Sequence, residues 1–301
     1  MGQGRGIAVA AALLLAFSPA DAQQSEESVL LPGVRWFEGG LADPDEPRIA
    51  GALLRTDLLA GRGPERRPFS LGDPSGAERE VQAAVTIGAT IPLLQVARWE
   101  GGGVVVAGQG GVIARFRVEL PSRDDLGQDW LIALPVEVRH ADVSGRVRIG
   151  HRSAHLGDEF VAETEARRIE YGHEFLELLV ARDLPELGGR LYGGAAWIFR
   201  SNTHAEPVLL DADRSDRGVL QAGVEVSAFV AGPVRLVAGL DWQAAERTGW
   251  RSRFAAAAGA SFERGTRHVR ILARFYDGRS AMGQFFATPE RYWGIETVIQ
   301  P

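Results

Sequence analysis

The chain has 301 residues, no cysteine, 37 glycines, 15 prolines and a formal net charge of -6. The lack of cysteine excludes a disulfide framework, and the mild acidity without a basic stripe argues against a nucleic-acid partner. After the first two dozen residues, no segment is apolar for the roughly 20 residues that a transmembrane helix needs.

The first residues have the pattern of a cleaved export signal. Arg5 supplies a short positive region, residues 7–17 are an unbroken apolar stretch, and residues 20–22 offer the small side chains that signal peptidase reads. The apolar stretch is too short for a spanning helix. We therefore expect residues 1–22 to be a signal peptide, the mature chain to begin at Gln23, and export to pass through the periplasm.

The segment after the signal is predicted to be an irregular N-terminal lead. It covers residues 23–47 and ends in Asp43-Pro44-Asp45-Glu46-Pro47, where two prolines prevent a regular element. Residues 48–301 contain no internal repeat and no low-complexity segment, which predicts a single domain.

Two-residue alternation of apolar and polar side chains dominates this domain. In residues 80–88 every odd position is apolar, and in residues 268–276 the apolar odd positions alternate with arginines. Because a strand shows its side chains alternately to two faces, each such segment has one apolar and one polar face. The pattern predicts twelve strands, at residues 48–57, 79–90, 104–117, 130–140, 145–153, 165–180, 189–200, 218–229, 233–244, 250–262, 267–277 and 291–300.

The strands fit a membrane barrel better than a soluble sandwich. They run to about ten residues, enough to cross a bilayer at a tilt, and long connections alternate with tight turns. The exceptions are 91–103, a long inner connection, and 245–249, a short outer one. The predicted fold class is all-β, a transmembrane antiparallel up-and-down β-barrel of about 12 strands in the bacterial outer membrane. The expected partners are outer-membrane lipids, lipopolysaccharide and the barrel-assembly machinery.

Aromatic residues predict the orientation of this barrel in the membrane, and charged residues predict the lining of its lumen. Five tryptophans fall near strand ends that the topology places outside, where such rings favour the membrane interface: Trp130, Trp197, Trp242, Trp250 and Trp293. The polar faces would line the lumen, either as a narrow anion-preferring pore or as ion-pair networks filling a small barrel. Their charged members are Arg115, Arg117, Glu137, Arg139, Arg146, Arg148, Glu225, Arg235, Arg253, Arg270 and Arg274. Glu170 and Glu174 are predicted lumen partners of Arg148 and Arg152.

Residues 151–160 are the densest group of side chains capable of catalysis or ligand binding. Strand parity places His151 and Ser153 on the lipid face, where polar groups are costly unless paired. A symmetric loop would pair residues 151 and 153 with 167 and 165, bringing Glu165 beside Ser153. This predicts Ser153 as nucleophile, His151 as base and Glu165 as orienting acid. An amide near Gly157 or a bound cation would stabilise the oxyanion.

His-x-Ser followed about a dozen residues later by an acid resembles the site of outer-membrane phospholipase A and of the lipid A deacylases. In those barrels the residues lie on the outer wall and cleave acyl esters of outer-leaflet lipids. The resemblance covers His151, Ser153 and Glu165, and it implies a serine-type lipid acyl hydrolase. Whether a cation such as calcium is required stays open.

A second resemblance covers most of the mature chain. Its residues are Ala42-Asp43-Pro44, Glu46-Pro47-Arg48, His151-x-Ser153-x-His155-Leu156-Gly157-Asp158-Glu159-Phe160, Tyr276-Asp277-Gly278 and Gly283-Gln284-Phe285. They resemble a bacterial family of unknown function whose members are predicted outer-membrane barrels. The resemblance implies architecture and location, and it brings no established activity.

The run also has a structural interpretation. Asp158 and Glu159 would then cap a rim turn, while Leu156 and Phe160 tuck inward. Further candidate binding residues are His155, Asp158, Glu159, Asp277 and Gln284. A zinc site is disfavoured, because the spacing of His151 and His155 suits a helix and not a strand. The sequence therefore leaves two alternatives to the hydrolase, a structural barrel and a narrow channel.

Overall fold

Antiparallel strands make up most of the described chain. A computed structural model describes residues 28–58, 80–119, 124–164, 168–203, 217–265 and 267–300. The predicted signal peptide and Glu165 lie outside these ranges. The strands are β1 (Val29–Leu30), β2 (Ile49–Thr56), β3 (Glu80–Trp99), β4 (Gly102–Arg117), β5 (Asp125–His140), β6 (Val143–Leu156), β7 (Tyr171–Leu184), β8 (Gly189–Ser201), β9 (Gly218–Ala231), β10 (Val234–Ala245), β11 (Arg251–Arg264), β12 (Arg267–Arg279) and β13 (Pro289–Gln300). A short helix, α1, covers Asp158–Thr164.

Strands β2 to β13 form one closed antiparallel barrel. Each strand pairs with its neighbour in sequence, and β13 closes the ring by pairing with β2, with Ile299 opposite Ile49 and Tyr292 opposite Thr56. Closure leaves no unpaired sheet edge. A sheet in lipid requires this, because its backbone groups have no water to bond with. The predicted all-β barrel of twelve strands is confirmed. No helix among the described residues is long and apolar enough to cross a bilayer.

The connections differ at the two ends of the barrel. At the turn end, tight turns join the strands at residues 100–101, 141–142, 185–188 and 232–233. Gly232 there has φ 56°, a left-handed conformation that favours glycine. The opposite end, the loop end, carries the longer connections. The predicted long connection at 91–103 is wrong: β3 continues to Trp99, with register shifts near Pro92 and Gln95 that keep it paired with β4.

The two faces of the wall have opposite chemistry. Outward side chains are large and apolar, with Leu53, Ile132 and Ile295 each at least 60% exposed. Inward side chains are polar and buried, and Glu137 and Arg146 are at most 1% exposed. In a soluble protein the apolar side chains would be buried and the polar ones exposed. The reverse arrangement seen here is typical of a barrel wall that faces lipid. The five predicted rim tryptophans lie towards the loop end, and four are about half exposed.

Residues 31–48 enter the barrel and are called the lumen loop here. Both β1 and β2 pair with β3, so the loop interrupts what would otherwise be one wall strand. Its carbonyl groups at Leu41 and Ala42 each accept a hydrogen bond of 2.9 Å from Arg274. The Phe37 side chain is buried in the interior. The N-terminal lead therefore fills part of the lumen.

The acids of the lumen loop neutralise arginines of the wall. Glu46 receives two hydrogen bonds from Arg146, at 2.8 and 3.1 Å, and Asp45 receives one of 2.7 Å from Arg152. These are charge-assisted bonds between buried groups. The interior is thus an ion-pair network, one of the two arrangements that the sequence left open.

The predicted lumen role of Glu174 is wrong. Arg148 pairs with Glu177, and Arg152 pairs with Asp45 and Asp129. The β7 side chains that point inward occupy odd positions, so Glu174 points outward. The prediction failed because it placed the start of this strand at residue 165, whereas β7 begins at Tyr171.

The pH dependence of stability should contain a contribution from Asp43 of the lumen loop. Burial, followed by the charges of Asp241, Asp45 and Glu46, raises the pKa of Asp43 from 3.8 to about 7. Between these values the folded protein holds a proton that the unfolded chain releases, so this contribution falls as pH rises. We expect the unfolding free energy of wild type minus that of Asp43→Asn to decrease from pH 4 to pH 7 in urea titrations. A difference that stays constant or increases would contradict this expectation.

Candidate functional site

Strands β6 and β7 place His151 and Ser153 on the outer wall near the loop end. The parity along β6 is the predicted one, with Ile149 exposed outward and Ala154 buried inward. Since alternate residues of a strand share a face, His151 and Ser153 lie side by side on the apolar surface. Their outward placement agrees with the sequence analysis.

The cross-strand partners differ from those predicted. His151 lies opposite Glu174, and Ser153 lies opposite Gly172, where residues 167 and 165 were expected. The prediction assumed a symmetric loop, but helix α1 lengthens the connection before β7 begins. Two acids, Asp158 and Glu159, occupy the first turn of α1, where the helix dipole favours negative charge.

Glu174 is in contact with the imidazole of His151. The Nδ1 atom of His151 lies 3.3 Å from the Oε1 atom of Glu174, within hydrogen-bond distance. A carboxylate at Nδ1 fixes the ring orientation and leaves Nε2 as the proton acceptor, the arrangement of a catalytic triad. On the other side of Glu174, the Nε atom of Arg200 lies 3.9 Å from Oε2.

The imidazole also extends towards the level of Ser153. A methyl group added at Gly172, which faces Ser153, would lie 3.8 Å from the Cε1 atom of His151. The imidazole therefore lies close to residue 172, the cross-strand neighbour of Ser153. No hydrogen bond joins Ser153 and His151 in this part of the described chain, and such bonds are often formed only in the substrate complex.

Apolar side chains surround this polar group. On β5, Trp130 lies opposite Ser153 and Ile132 lies opposite His151, and both are about half exposed or more. On β8, Trp197 and Phe199 also point outward. Ionisable groups are costly in such surroundings and are commonly functional. The site has the form of a polar patch in an apolar wall.

The amide of Gly157 is not available as an oxyanion donor. It donates a hydrogen bond of 3.3 Å to the carbonyl of Leu126. The backbone amides of β6 and β7 are largely occupied by the sheet ladder. A side chain or a bound cation therefore has to supply this role.

Of the candidate binding residues, only His155 shares the outward face of β6 with Ser153; the others are in α1, β12 and the loop before β13. His155, Asp158 and Glu159 are exposed at the rim, and Asp158 forms an ion pair with Arg168. Asp277 accepts a hydrogen bond of 2.8 Å from Arg291. These contacts agree with the structural interpretation of the rim.

Gln284 and the apolar residues of the run 151–160 hold the loops together. The amide of Gln284 donates to the carbonyls of Ala154 and Ile169, at 2.6 and 2.9 Å. Leu156 and Phe160 are buried in a cluster with loop residues, as the structural interpretation predicted. Glu174 is the residue that the sequence analysis assigned to the wrong face, and the His-x-Ser register alone could not reveal it.

Comparison with solved structures shows which folds resemble the chain. The outer membrane phospholipase (OMPLA) of Salmonella typhi, solved as a dimer with bound calcium, has a TM-score of 0.51 and 12% identity over 84% of this chain and 91% of that chain. Outer membrane phospholipase A from Escherichia coli has a TM-score of 0.51 and 13% identity over 84% of this chain and 90% of that chain. The chain therefore has the fold of an outer-membrane β-barrel.

Comparison by sequence gives the family. No curated protein matches the chain. Residues 73–299, most of the barrel, match the family described as "Protein of unknown function (DUF1207)". This agrees with the resemblance of the His151–Phe160 signature to an uncharacterised barrel family. The chain belongs to the DUF1207 family.

Proposed function

We propose that this protein is an outer-membrane acyl-ester hydrolase that acts on lipids of the outer leaflet. The observation that carries the proposal is the contact between Nδ1 of His151 and Glu174 on an apolar wall, where His151 lies two residues from Ser153 along β6. A structural barrel has no need of an oriented imidazole facing lipid, where such groups are costly. The fold shared with outer membrane phospholipases supports the same location and substrate class.

Ser153, His151 and Glu174 have the roles that are usual in a serine hydrolase. The Oγ atom of Ser153 attacks the ester carbonyl while Nε2 of His151 takes its proton, and the alcohol leaves with that proton. Water, deprotonated by His151, then cleaves the acyl-serine bond and releases the fatty acid. Glu174 holds the ring and stabilises the imidazolium in both steps.

A cation site is not evident beside this group. The described residues contain no group of three or more His, Cys, Asp or Glu side chains arranged to hold a metal ion. We therefore assign no step to calcium. Arg200, whose Nε atom lies 3.9 Å from Oε2 of Glu174, is a positive charge beside the site.

Two measurements test the proposal. The purified mature protein in mixed micelles should release fatty acid from diacyl phosphatidylethanolamine or from lipid A. An alkyl sulfonyl fluoride should label one serine, which mass spectrometry of peptides would identify as Ser153. If neither lipid class is cleaved and Ser153 stays unlabelled, the protein is not this hydrolase.

Two glutamates compete for the role of orienting acid, and their variants should differ. Glu174→Gln keeps the shape but weakens control of the imidazole tautomer, so we expect kcat to fall by about 10²–10⁴-fold. Glu165→Gln, at the residue suggested by the resemblance, should leave kcat within about twofold of wild type. Initial rates of fatty-acid release with both variants check this. The reverse ranking would assign the acid to Glu165.

The channel alternative loses its main support in the lumen. The arginines that would attract anions are paired, Arg146 with Glu46, Arg148 with Glu177 and Arg253 with Asp45. The lumen loop also occupies the interior between them. We therefore do not propose a channel function.

A further inference from the structure

A cavity remains inside the barrel on the loop-end side of the lumen loop. It has a volume of about 130 Å³, and its lining includes Asp45 from the lumen loop, Arg152 from β6, His173 from β7 and Phe286 from the loop before β13. Its size approaches that of a cavity of about 150 Å³ that admits benzene. Ser153, His151 and Glu174 do not line it, so it is separate from the site on the outer wall.

The cavity has an excess of positive charge. Its lining contains six arginines and four carboxylates: Arg148, Arg152, Arg247, Arg251, Arg253, Arg279, Asp43, Asp45, Asp129 and Glu177. Arg148, Arg152 and Arg253 form ion pairs with these acids. Arg247, Arg251 and Arg279 have no carboxylate partner among the residues that the structure describes. Among the described residues, three guanidinium groups of this lining therefore lack a carboxylate counter-charge, although Arg279 donates to the carbonyl of Ala287 and Arg251 is exposed.

Arg247 is held in place by neutral groups. Its Nη2 atom donates a hydrogen bond of 2.9 Å to the hydroxyl of Tyr171, and its guanidinium lies 5.3 Å from the ring centres of Tyr171 and Phe286. A guanidinium has five N–H donors, and this contact uses one. Because the Arg247 side chain is already fixed, less conformational entropy is lost when a ligand binds.

His173 adds a buried polar atom without a partner. The residue is 6% exposed, and its Nδ1 atom has no hydrogen-bond partner among the described residues. The ring packs against Tyr171 and Phe175, at centroid distances of 5.4 and 6.1 Å. Buried side-chain nitrogens are usually hydrogen-bonded, so this unpaired atom in the cavity wall is open to a bound ligand or a water molecule.

We propose that this cavity binds the phosphate monoester group of a small ligand. Arg247, Arg251 and Arg279 would donate to the phosphate oxygens, and His173 would donate through Nδ1. A phosphate monoester offers nearly two negative charges and three acceptor oxygens, which match three guanidinium groups that lack a carboxylate partner better than one carboxylate does. The rings of Tyr171 and Phe286 provide an apolar wall for the body of the ligand.

The test is calorimetric titration of the folded protein in detergent with phenyl phosphate. We expect saturable binding of one ligand per chain, competition by inorganic phosphate, and no comparable binding of phenol. Arg247→Gln and Arg251→Gln should each raise the dissociation constant by about tenfold or more, since hydrogen bonds between charged groups are strong. Arg267→Gln, an exposed arginine at the turn end, is the matched control and should bind as wild type does.

A second arm separates a free phosphate ester from a lipid-borne one. Lipopolysaccharide and its dephosphorylated form are added as competitors of phenyl phosphate. Competition by the phosphorylated form alone, lost in Arg247→Gln, would support the site and assign the phosphate to a lipid. Competition by neither would support a soluble ligand. Absence of saturable phenyl phosphate binding, or wild-type binding by both folded arginine variants, would overturn the proposal. None of these outcomes depends on the hydrolase activity.

Discussion

Replacing Ser153 by alanine should reduce fatty-acid release by roughly 10⁴-fold or more, down to the detection limit, because the variant has no nucleophile to form the acyl intermediate. The variant should still fold, since Ser153 lies partly exposed on the outer wall and belongs to none of the buried apolar clusters of the described residues. The measurement is the initial rate of fatty-acid release from phosphatidylethanolamine in mixed micelles. The sulfonyl fluoride label should disappear together with the activity.

Ser252→Ala is the matched control for this experiment. Ser252 is an exposed serine near the loop end of β11, away from β6 and β7, and its hydroxyl accepts a hydrogen bond from Trp242 of β10. Its removal should leave the rate within about twofold of wild type, because surface substitutions rarely perturb stability. If Ser153→Ala were as active as Ser252→Ala, Ser153 would not be the nucleophile.

Replacing Glu46 by alanine should lower the free energy of unfolding by about 3–5 kcal/mol, the usual cost of removing one partner of a buried ion pair. Glu46 is 6% exposed and accepts two hydrogen bonds from Arg146, which is 1% exposed. The variant leaves Arg146 and Arg148 with Glu177 as their shared acid. Urea unfolding in lipid vesicles, followed by tryptophan fluorescence, measures the change.

Glu186→Ala provides the comparison for Glu46→Ala. Glu186 is exposed in the turn that joins β7 to β8, so its removal should change the unfolding free energy by less than about 0.5 kcal/mol. A loss for Glu46→Ala no larger than this value would mean that the lumen loop adds little to the stability of the barrel. It would also weaken the assignment of the interior as an ion-pair network.

The barrel could be predicted because its pattern is local. Alternation along each strand depends on the residue sequence alone, and it gave the correct face for Arg146, Arg148, His151 and Ser153. The prediction failed where the boundary of an element mattered. Starting β7 at residue 165 shifted its register and assigned Glu174 to the lumen, while the structure places it beside His151.

The interior contacts could not be predicted, because they join residues that are far apart in sequence. Asp45 meets Arg253 and Glu46 meets Arg146 only after the lumen loop has folded into the barrel. Nothing in the proline-rich run around them says which wall residues it contacts. In the same way, Arg247 from the turn between β10 and β11 and His173 from β7 line one cavity. The sequence shows the charge of each residue but not its neighbours.

The lumen loop supplies the barrel with tethered counterions. It enters between β1 and β2, and β2 is the strand on which β13 closes the ring. Acids at 45 and 46 are therefore covalently attached beside the seam and neutralise arginines of β6 and β11. Because these charges are buried and attached to the chain, external salt screens them weakly. The charge balance of the interior thus stays nearly constant when the ionic strength outside the cell changes.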